Sequence, residues 1–459
     1  YNFLLKNTVI DEPYENMPAA EVGLKKGDVI LAIGDSSMVG KDVAYVSNHL
    51  RGDAGTTFIL TVQRPSVNKK MKFKITRRSI QLPAVPYYGV QDGGVGYLNL
   101  NSFTTGCAKD VRRAFLDMKK QGMTSLVFDL RNNGGGSLQE AVNIVNMFVP
   151  KGITLVKTVG KMDRANNEYK TTVEPIDTLM PIVVLVNDES ASASEITSGS
   201  LQDLDRAVVL GTRTYGKGLV QVSMDLPYNG NLKLTSSKYY IPSGRCIQAI
   251  NYKHGNGGYT EHVPDSLTRV FHTANGRVVR DGGGIKPDVE VRPDSLPNIA
   301  FYLASSGRDS TEVMWNWELQ YLKKHPTIGP AKTFVISDAD FEDFKQAVLK
   351  SGFKYDRESK KYLENLVKLA KFEGYYDEAK PEFEALEKKL NHNLAKDLDY
   401  NKQTLKKVLT SDLVSAYYYQ KGSLENSLQF DKQWKKAVEI LQNPAEYKKL
   451  LQPVVGQPL

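Results

Sequence analysis

Val-Leu-Val-Asn-Asp-Glu-Ser-Ala-Ser-Ala-Ser-Glu-Ile, residues 184–196, leads from an apolar run into a helical pattern across small residues. A hydroxyl in this segment lies at the carboxyl edge of a sheet, beside a helix N-terminus whose free N–H groups favour negative charge. Serine is also a preferred helix N-cap for purely structural reasons. The segment alone therefore leaves a nucleophile and a cap both open, and it does not choose among Ser190, Ser192 and Ser194.

The surrounding region, residues 81–298, alternates between strand and helix. Apolar runs predict strands at 94–100, 125–130, 182–186, 208–211 and 232–240, and helical periodicity predicts helices at 107–120, 138–148 and 191–204. This alternation is typical of βαβ units, so we expect a mostly parallel sheet with helices over it.

The flanking regions have different patterns. Residues 1–80 predict a small β-rich domain with helical stretches at 18–24 and 42–50. From residue 299 to the end the pattern is helical, and Ser337 with Asp340 predicts an N-cap before a helix at 341–349. A chain of 459 residues is too long for one compact domain. We therefore predict three domains, at 1–80, 81–298 and 299–459.

Composition narrows the class of protein. Sixty basic residues stand against 52 acidic ones, with both signs spread along the chain, so a net charge of +8 indicates a solvated surface rather than nucleic-acid binding. The sequence contains no run of about 18 apolar residues, so it predicts no membrane-spanning helix. Residues 1–10 lack the features of a signal peptide. Cys107 and Cys246 form no metal or redox motif, which leaves two thiols or one disulfide open.

A nucleophilic serine needs a base. The six histidines lie neither at a strand end of the βα region nor in a recognisable motif, which weakens a Ser-His-Asp reading: His49, His254, His262, His272, His325 and His392. Lys217 lies between two glycines, closely after the strand at 208–211. A lysine can act as a base where its surroundings disfavour the ammonium form, and Gln221 could hold the amine without adding charge. An exposed turn lysine is the alternative.

A third segment, residues 129–137, reads Asp-Leu-Arg-Asn-Asn-Gly-Gly-Gly-Ser. A glycine run after a buried strand can turn backbone N–H groups toward the oxyanion of a tetrahedral intermediate. The run lacks the Gly-Lys-Ser/Thr that completes a phosphate-binding P-loop. An ordinary strand-to-helix turn is the alternative.

Together and in this order, these segments resemble the C-terminal processing peptidases, also called tail-specific proteases. The resemblance covers about 1–295. Residues 18–30 and 50–56 are similar to the family's PDZ domain, and five further segments match its motifs: 129–136, 190–195, 215–221, 239–244 and 284–288.

The resemblance implies a multidomain α/β fold with a PDZ domain, a ClpP/crotonase-like α/β serine protease core and a helical C-terminal extension. It implies Ser192 as nucleophile, Lys217 as general base and Gln221 as its partner. It further implies the N–H groups of Gly136 and Ala193, with Gly135 close behind, as the oxyanion hole. Peptide hydrolysis would pass through an acyl-enzyme, without a metal or cofactor.

The resemblance also implies partners and a location. We expect protein substrates with accessible C-terminal tails, no nucleic acid, and a bacterial cell envelope location in the periplasm. The helical extension is expected to serve in adaptor docking, gating or self-association. The PDZ domain is expected to begin before residue 1. Either part of its carboxylate-binding loop is absent from this sequence, or Tyr1-Asn2-Phe3 is the remnant of that loop.

Two other functions stay open. One is a catalytically silent peptide-binding scaffold, against which the presence of Ser192, Lys217 and Gln221 argues. The other is a crotonase-like enzyme acting on acyl thioesters, against which the PDZ-like domain and the Ser/Lys pair argue. Fold alone does not separate these functions.

Overall fold

A computed structural model describes residues 6–249, 264–305, 311–390 and 393–453 of the chain. These residues belong to two compact units: Tyr1–Gln81 with Ser295–Phe430, and Leu82–Asp294 with Asp431–Leu459. The units group residues by packing, and the division into three domains stays a prediction beside them. Tyr1-Asn2-Phe3 lies outside the described residues.

The N-terminal part of the first unit is a small antiparallel sheet with two helices. Its strands, in the spatial order β2-β1-β3-β4, are β1 (Val29–Ile33), β2 (Ser36–Ser37), β3 (Thr57–Arg64) and β4 (Lys69–Thr76). Its helices are α1 (Pro18–Glu21) and α2 (Val43–Leu50). Alternation along β3 buries Leu60 and Val62 against Ile30 and Val46. The predicted β-rich fold of this part of the chain is confirmed.

The remainder of this unit is helical. Its helices are α6 (Asn298–Ala304), α7 (Val313–Lys324), α8 (Asp338–Ser351), α9 (Glu358–Glu373), α10 (Lys380–Leu390), α11 (Leu394–Tyr400) and α12 (Lys402–Ser427). Their apolar faces share one core around Trp317, Phe344 and Leu409. The capping box that starts α8 is confirmed, because Ser337 Oγ accepts from the Asp340 N–H and the Asp340 carboxylate accepts from the Ser337 N–H. In the part of the chain that the structure describes, no helix is both long and apolar enough to cross a membrane.

The second unit is built on the expected mostly parallel sheet. Across the described residues its strand order is β16-β11-β10-β7-β6-β5. The strands are β5 (Tyr87–Val90), β6 (Val95–Asn99), β7 (Ser125–Asp129), β10 (Ile182–Val186), β11 (Val208–Gly211) and β16 (Val289–Glu290). All neighbours run parallel except β5 and β6. Strands β7 and β10 are buried along their whole length, as is typical of a sheet covered on both faces.

Helices cover this sheet. They are α3 (Cys107–Lys120), α4 (Leu138–Val145), α5 (Ala193–Asp203), α13 (Lys432–Gln442) and α14 (Pro444–Leu450). Helix α4 packs against α3 and α5, and α13 packs against β7, β10 and β11. The chain thus returns after the helical region to complete the same compact unit as the α/β core.

A smaller antiparallel sheet, in the order β12-β13-β8-β9, joins this unit. Its strands are β8 (Thr154–Gly160), β9 (Asn167–Lys170), β12 (Leu219–Leu226) and β13 (Gly230–Tyr240), and a short pair, β14 (Val270–His272) and β15 (Val278–Arg280), lies nearby in sequence. Strand β13 follows the predicted run. Strands β8 and β9 were not predicted, because their sequences mix polar and apolar residues without a clear period. Strand β12 was not predicted either, although Val220, Val222, Met224 and Leu226 alternate with polar residues along it.

The two cysteines are free thiols, which excludes the disulfide alternative. The Cys107 thiol is buried, with Sγ 3.8 Å from Glu140 Oε2. Burial and the neighbouring Glu140 carboxylate raise the pKa of Cys107 to about 12, so this thiol is not a reactive thiolate at neutral pH.

A buried charge cluster joins the N-terminal sheet to the helices of the same unit. Lys26 Nζ lies 3.1 Å from Glu318 Oε2 of α7, and both side chains are buried. The ammonium also lies 5.1 Å from the centre of the Trp315 ring. Burial raises the pKa of Glu318 to about 8 despite the attraction of Lys26, and burial likewise raises the pKa of the neighbouring Asp412.

This cluster predicts a pH-dependent stability. Between the ordinary value of 4.5 and about 8, folded Glu318 holds a proton that the unfolded chain has released. The free energy of unfolding should therefore fall as pH rises through this window. In Glu318→Gln, urea unfolding followed by tryptophan fluorescence should show a smaller difference between pH 5 and pH 8, by more than about 1 kcal/mol. Asp338→Asn changes an exposed carboxylate and should keep the wild-type slope; equal slopes for wild type and Glu318→Gln would contradict the prediction.

Candidate active site

Three loops meet at one edge of the parallel sheet. They follow β7, β10 and β11, which are adjacent in the sheet, and the carboxyl ends of adjacent parallel strands lie side by side. The glycine-rich segment follows β7, the serine-rich turn follows β10 and the loop that carries Lys217 follows β11. The fold thus brings together the three segments that the sequence singled out.

Ser192 has an unusual backbone conformation. Its φ is 57° and its ψ is −112°, a combination that residues with a side chain rarely adopt, and α5 begins at the next residue. Such a conformation costs on the order of 1–3 kcal/mol and persists only where the surroundings fix it. A strained strand-to-helix turn that presents a serine at a sheet edge is the geometry of a nucleophile elbow.

The buried Glu195 carboxylate holds this turn to the lysine loop. Its Oε2 accepts hydrogen bonds from the backbone N–H groups of Ser192 and Lys217, both at 2.9 Å. Its Oε1 accepts from the Gly216 N–H at 2.7 Å and from the Thr214 hydroxyl at 2.6 Å. Complete burial raises the pKa of Glu195, although all four hydrogen bonds oppose this by favouring the carboxylate.

Tyr239 makes a second bridge between the same segments. Its buried hydroxyl donates to the backbone carbonyl oxygen of Lys217 at 2.6 Å. The same hydroxyl lies 3.3 Å from the backbone carbonyl oxygen of Ser192. Burial and the nearby Glu195 carboxylate raise the pKa of Tyr239 well above its ordinary value, so the hydroxyl remains a donor. The backbones of the serine turn and the lysine loop are thus fixed from two sides.

Asn133 fastens the glycine loop to the serine turn. Its side-chain amide donates to the Leu100 carbonyl at 2.7 Å and accepts from the Gly135 N–H at 2.9 Å. Its backbone carbonyl accepts from the Ala191 N–H at 3.0 Å and from the Ser194 hydroxyl at 2.7 Å. The loop therefore cannot shift without breaking bonds to the turn.

The last two glycines of the loop leave no room for a side chain. Gly135 has a φ of 96°, and a Cβ there would lie 2.6 Å from the Ala191 carbonyl oxygen. Gly136 has a φ of 145°, and a Cβ there would lie 2.4 Å from the Phe103 carbonyl oxygen. Both positions therefore require glycine, which lets the loop backbone approach Ser192 closely.

The three predicted oxyanion donors differ in what they already bind. The Gly135 N–H is engaged by Asn133. The Gly136 and Ala193 N–H groups donate to no acceptor in the described part of the chain. The geometry therefore favours Gly136 and Ala193 as donors, and Gly135 as the residue that shapes the loop; the assignment of all three stays a prediction.

A cavity of about 460 Å³ opens between these loops. Its walls include five of the six predicted site residues, namely Gly135, Gly136, Ser192, Lys217 and Gln221. Ala193 follows Ser192 directly and is buried. Among the described residues, no hydrogen bond joins the side chains of Ser192, Lys217 and Gln221 to one another.

The three serines of the turn have different environments. The Ser190 hydroxyl is buried and donates to the Leu130 carbonyl at 2.8 Å. The Ser194 hydroxyl is buried and donates to the Asn133 carbonyl at 2.7 Å. Only Ser192 among the three lines the cavity. This difference supports the choice that the sequence could make only by resemblance.

No described histidine lines the cavity, so the structure offers no histidine base from that part of the chain. His49, His272 and His325 lie elsewhere in the described residues. His254, His262 and His392 are outside the described residues.

Comparisons with known proteins agree with this architecture. Residues 94–255 match the profile described as "Peptidase family S41", residues 9–64 match "PDZ domain", and residues 302–441 match "Probable PDZ-protease, C-terminal helical domain". The chain is 38% identical over 242 residues to a carboxy-terminal-processing protease of Bartonella bacilliformis, covering 52% of this chain and 55% of the relative. It is 36% identical over 288 residues to a probable CtpA-like serine protease of Staphylococcus aureus (strain N315). This match covers 61% of this chain and 55% of the relative.

Solved structures are also similar. The photosystem II D1 C-terminal processing protease is 28% identical, with a TM-score of 0.35, and the match covers 64% of this chain and 70% of that one. A putative S41 protease from Bacteroides fragilis is 20% identical, with a TM-score of 0.38, covering 62% and 78%.

The matched regions define a PDZ-containing protein with an S41 peptidase core. The S41 and PDZ matches, together with the carboxy-terminal-processing relatives, support the C-terminal processing peptidase family, and they confirm the resemblance and the fold class predicted from sequence. It spans about half the length of the curated relatives it matches.

Sequence reasoning missed two parts of the site. Glu195 reads as the acidic member of a helix capping box, and the sequence does not show that it also reaches the lysine loop. Tyr239 belongs to a matched motif, but nothing local indicates that its hydroxyl reaches Lys217.

Glu195→Gln tests the importance of this carboxylate. Each of its oxygens accepts at least one backbone N–H, so either orientation of the amide sets an NH₂ group against a donor. We expect a loss of about 2–3 kcal/mol in the free energy of unfolding and at least a tenfold loss in the cleavage rate of an unfolded protein. Glu140→Gln is the matched control, because Glu140 also accepts two backbone N–H groups but lies outside the cavity. It should retain activity; wild-type activity in Glu195→Gln would contradict the account.

Proposed function

We propose that this chain is a serine endopeptidase that hydrolyses peptide bonds in proteins recognised near their C-termini, using Ser192 and Lys217. The observation that carries the proposal is the strained backbone of Ser192, clamped through Glu195 to the loop of Lys217. Strain held at one residue of a cavity is expected where a side chain must be presented in a fixed direction.

The proposed reaction begins with attack of Ser192 Oγ on the carbonyl carbon of the scissile bond. Lys217, in its neutral form, takes the hydroxyl proton and then gives a proton to the leaving amine. The N–H groups of Gly136 and Ala193 stabilise the oxyanion, and their free state supports this role. Water then hydrolyses the acyl-enzyme, with Lys217 again accepting a proton.

Gln221 is proposed to orient the Lys217 amine. It lines the same cavity from strand β12. An amide can hold an amine by a hydrogen bond without the negative charge that would favour the ammonium form. Gln221→Glu should therefore impair the base more than it disturbs the fold.

The N-terminal sheet is proposed to bind the substrate's C-terminal tail. A second cavity of about 460 Å³ lies in this part of the chain, and apolar residues such as Leu24, Ile30 and Phe58 line it. Arg51 also lines it and supplies positive charge for a terminal carboxylate, whereas the neighbouring Arg78 is paired with Glu21 at 2.7 Å. PDZ domains bind peptide ends by adding a strand to the sheet.

The remaining assignments rest on the family. We propose residues 1–80 as the PDZ domain, 81–298 as the catalytic core and 299–459 as a helical extension that docks adaptors or a second copy. A location in the bacterial periplasm is proposed with them on the family resemblance alone; the curated relatives are bacterial proteases.

Two alanine variants test the dyad. Ser192→Ala and Lys217→Ala should each lower the cleavage rate of an unfolded protein with a hydrophobic C-terminal tail by at least about 1000-fold, because each removes one member of a cooperating pair. Both should unfold at the wild-type temperature within a few degrees.

Lys233→Ala is the control, because Lys233 lines the same cavity but has no assigned role. It should keep activity within a few-fold. Cleavage by Ser192→Ala at the wild-type rate would overturn the dyad. A folded but inactive wild type would favour the silent scaffold, and turnover of an acyl thioester in its place would favour the crotonase-like alternative.

A further inference from the structure

Arg131 lies two residues after the end of β7, just before the glycine loop. Its guanidinium binds both oxygens of the Asp129 carboxylate, with Nε 2.9 Å from Oδ1 and 3.0 Å from Oδ2. The Tyr97 hydroxyl donates to the same carboxylate at 2.7 Å. Asp129 of β7 thus holds Arg131, and Tyr97 of β6 holds Asp129.

Two more partners of Arg131 come from about 300 residues further along the chain. Its Nη1 lies 2.7 Å from Asp431 Oδ2 and donates to Gln433 Oε1 at 2.8 Å. Although burial opposes the charged form, the Asp129 and Asp431 carboxylates raise the pKa of Arg131, so the guanidinium stays charged. The network therefore spans two distant parts of the sequence.

Asp431 is also the N-cap residue of α13. Its Oδ1 accepts from the N–H groups of Gln433 at 2.8 Å and Trp434 at 3.0 Å, which caps the helix. One carboxylate oxygen thus fixes the helix end while the other holds Arg131.

Helix α13 is itself anchored on the core. The Trp434 ring meets the Tyr97 ring edge-on, with 5.5 Å between centroids. The Gln433 side-chain amide donates to the Val291 carbonyl at 2.6 Å. Because Tyr97 also binds Asp129, the network closes into a ring of packed and hydrogen-bonded groups.

The loop that follows Arg131 continues this chain of contacts. The Asn132 N–H donates to Asn187 Oδ1 at 2.9 Å, and the Asn187 amide donates back to Asn132 Oδ1 at 2.6 Å. Asn133 then binds Gly135 and the serine turn. Every residue from 131 to 133 is therefore held, and the free N–H of Gly136 lies at the end of this sequence of contacts.

We propose that Asp431 and Gln433 are positioning residues of the active site. Through Arg131 they hold the glycine loop so that the Gly136 N–H and the Ala193 N–H point at the same oxyanion. This inference rests on the proposed peptidase function. The division between the compact units falls between Phe430 and Asp431, so the first residue after the helical region is also a support of the catalytic loop.

Asp431→Asn is the sharpest test. Asparagine keeps a capping oxygen for α13 but removes the charge that holds Arg131. With a short peptide ester, we expect kcat to fall about tenfold while KM stays within about twofold, since a displaced oxyanion donor affects the transition state more than substrate binding.

The affinity of a peptidyl boronic acid separates positioning from stability, because a residue that only stabilised the fold would not change this affinity. Addition of Ser192 Oγ to boron makes a tetrahedral adduct with a hydroxyl at the oxyanion position. Its affinity for Asp431→Asn should fall by about the same factor as kcat. Gln433→Met should change both quantities in the same direction.

Asp42→Asn is the matched control, because it makes the same chemical change at the N-cap of α2 without touching Arg131. It should leave kcat and boronate affinity unchanged. If Asp431→Asn had the wild-type kcat per titrated active site, the inference would be overturned, whether or not the melting temperature fell. The proposed peptidase function would still stand. An inactive wild type would instead reject the proposed function.

Discussion

The candidate site depends on one buried carboxylate. Glu195 accepts four hydrogen bonds, three of them from backbone N–H groups in the serine turn and the lysine loop. Hydrogen bonds to a charged group contribute roughly 1.5–3 kcal/mol each, whereas the strained backbone of Ser192 costs on the order of 1–3 kcal/mol. The bonds together outweigh the strain, and burial of the carboxylate makes losing any of them costly. Glu195 therefore fixes Ser192 and the backbone of Lys217 relative to each other.

The parallel sheet decides which segments Glu195 can join. Strands β11, β10 and β7 are neighbours, so the loops that follow them share one edge, with the serine turn in the middle. Asn133 then connects the glycine loop to the turn on one side, while Glu195 and Tyr239 connect the lysine loop on the other. The arrangement leaves the Ser192 side chain lining the cavity, and it leaves the N–H groups of Gly136 and Ala193 without an acceptor among the described residues.

Much of this could be predicted from the sequence, because the deciding signals are local. Short apolar runs bounded by turns predicted the observed bounds of β10 and β11. Helical periodicity predicted the observed bounds of α3. Contacts between distant residues could not be predicted. Periodicity shows which face of α13 is apolar but not that this helix packs on β7, or that Asp431 reaches Arg131. Choosing Ser192 over its neighbours needed a family resemblance, because the hydrogen bonds that engage Ser190 and Ser194 involve residues about 60 positions away.

The most direct test of the account is to locate the covalent adduct of a serine-reactive fluorophosphonate by tandem mass spectrometry of the digested protein. We predict one adduct per chain, on Ser192, because this serine alone of the three lines the cavity beside Lys217. An adduct on Ser190 or Ser194, or an active protein without an adduct in residues 184–196, would contradict it.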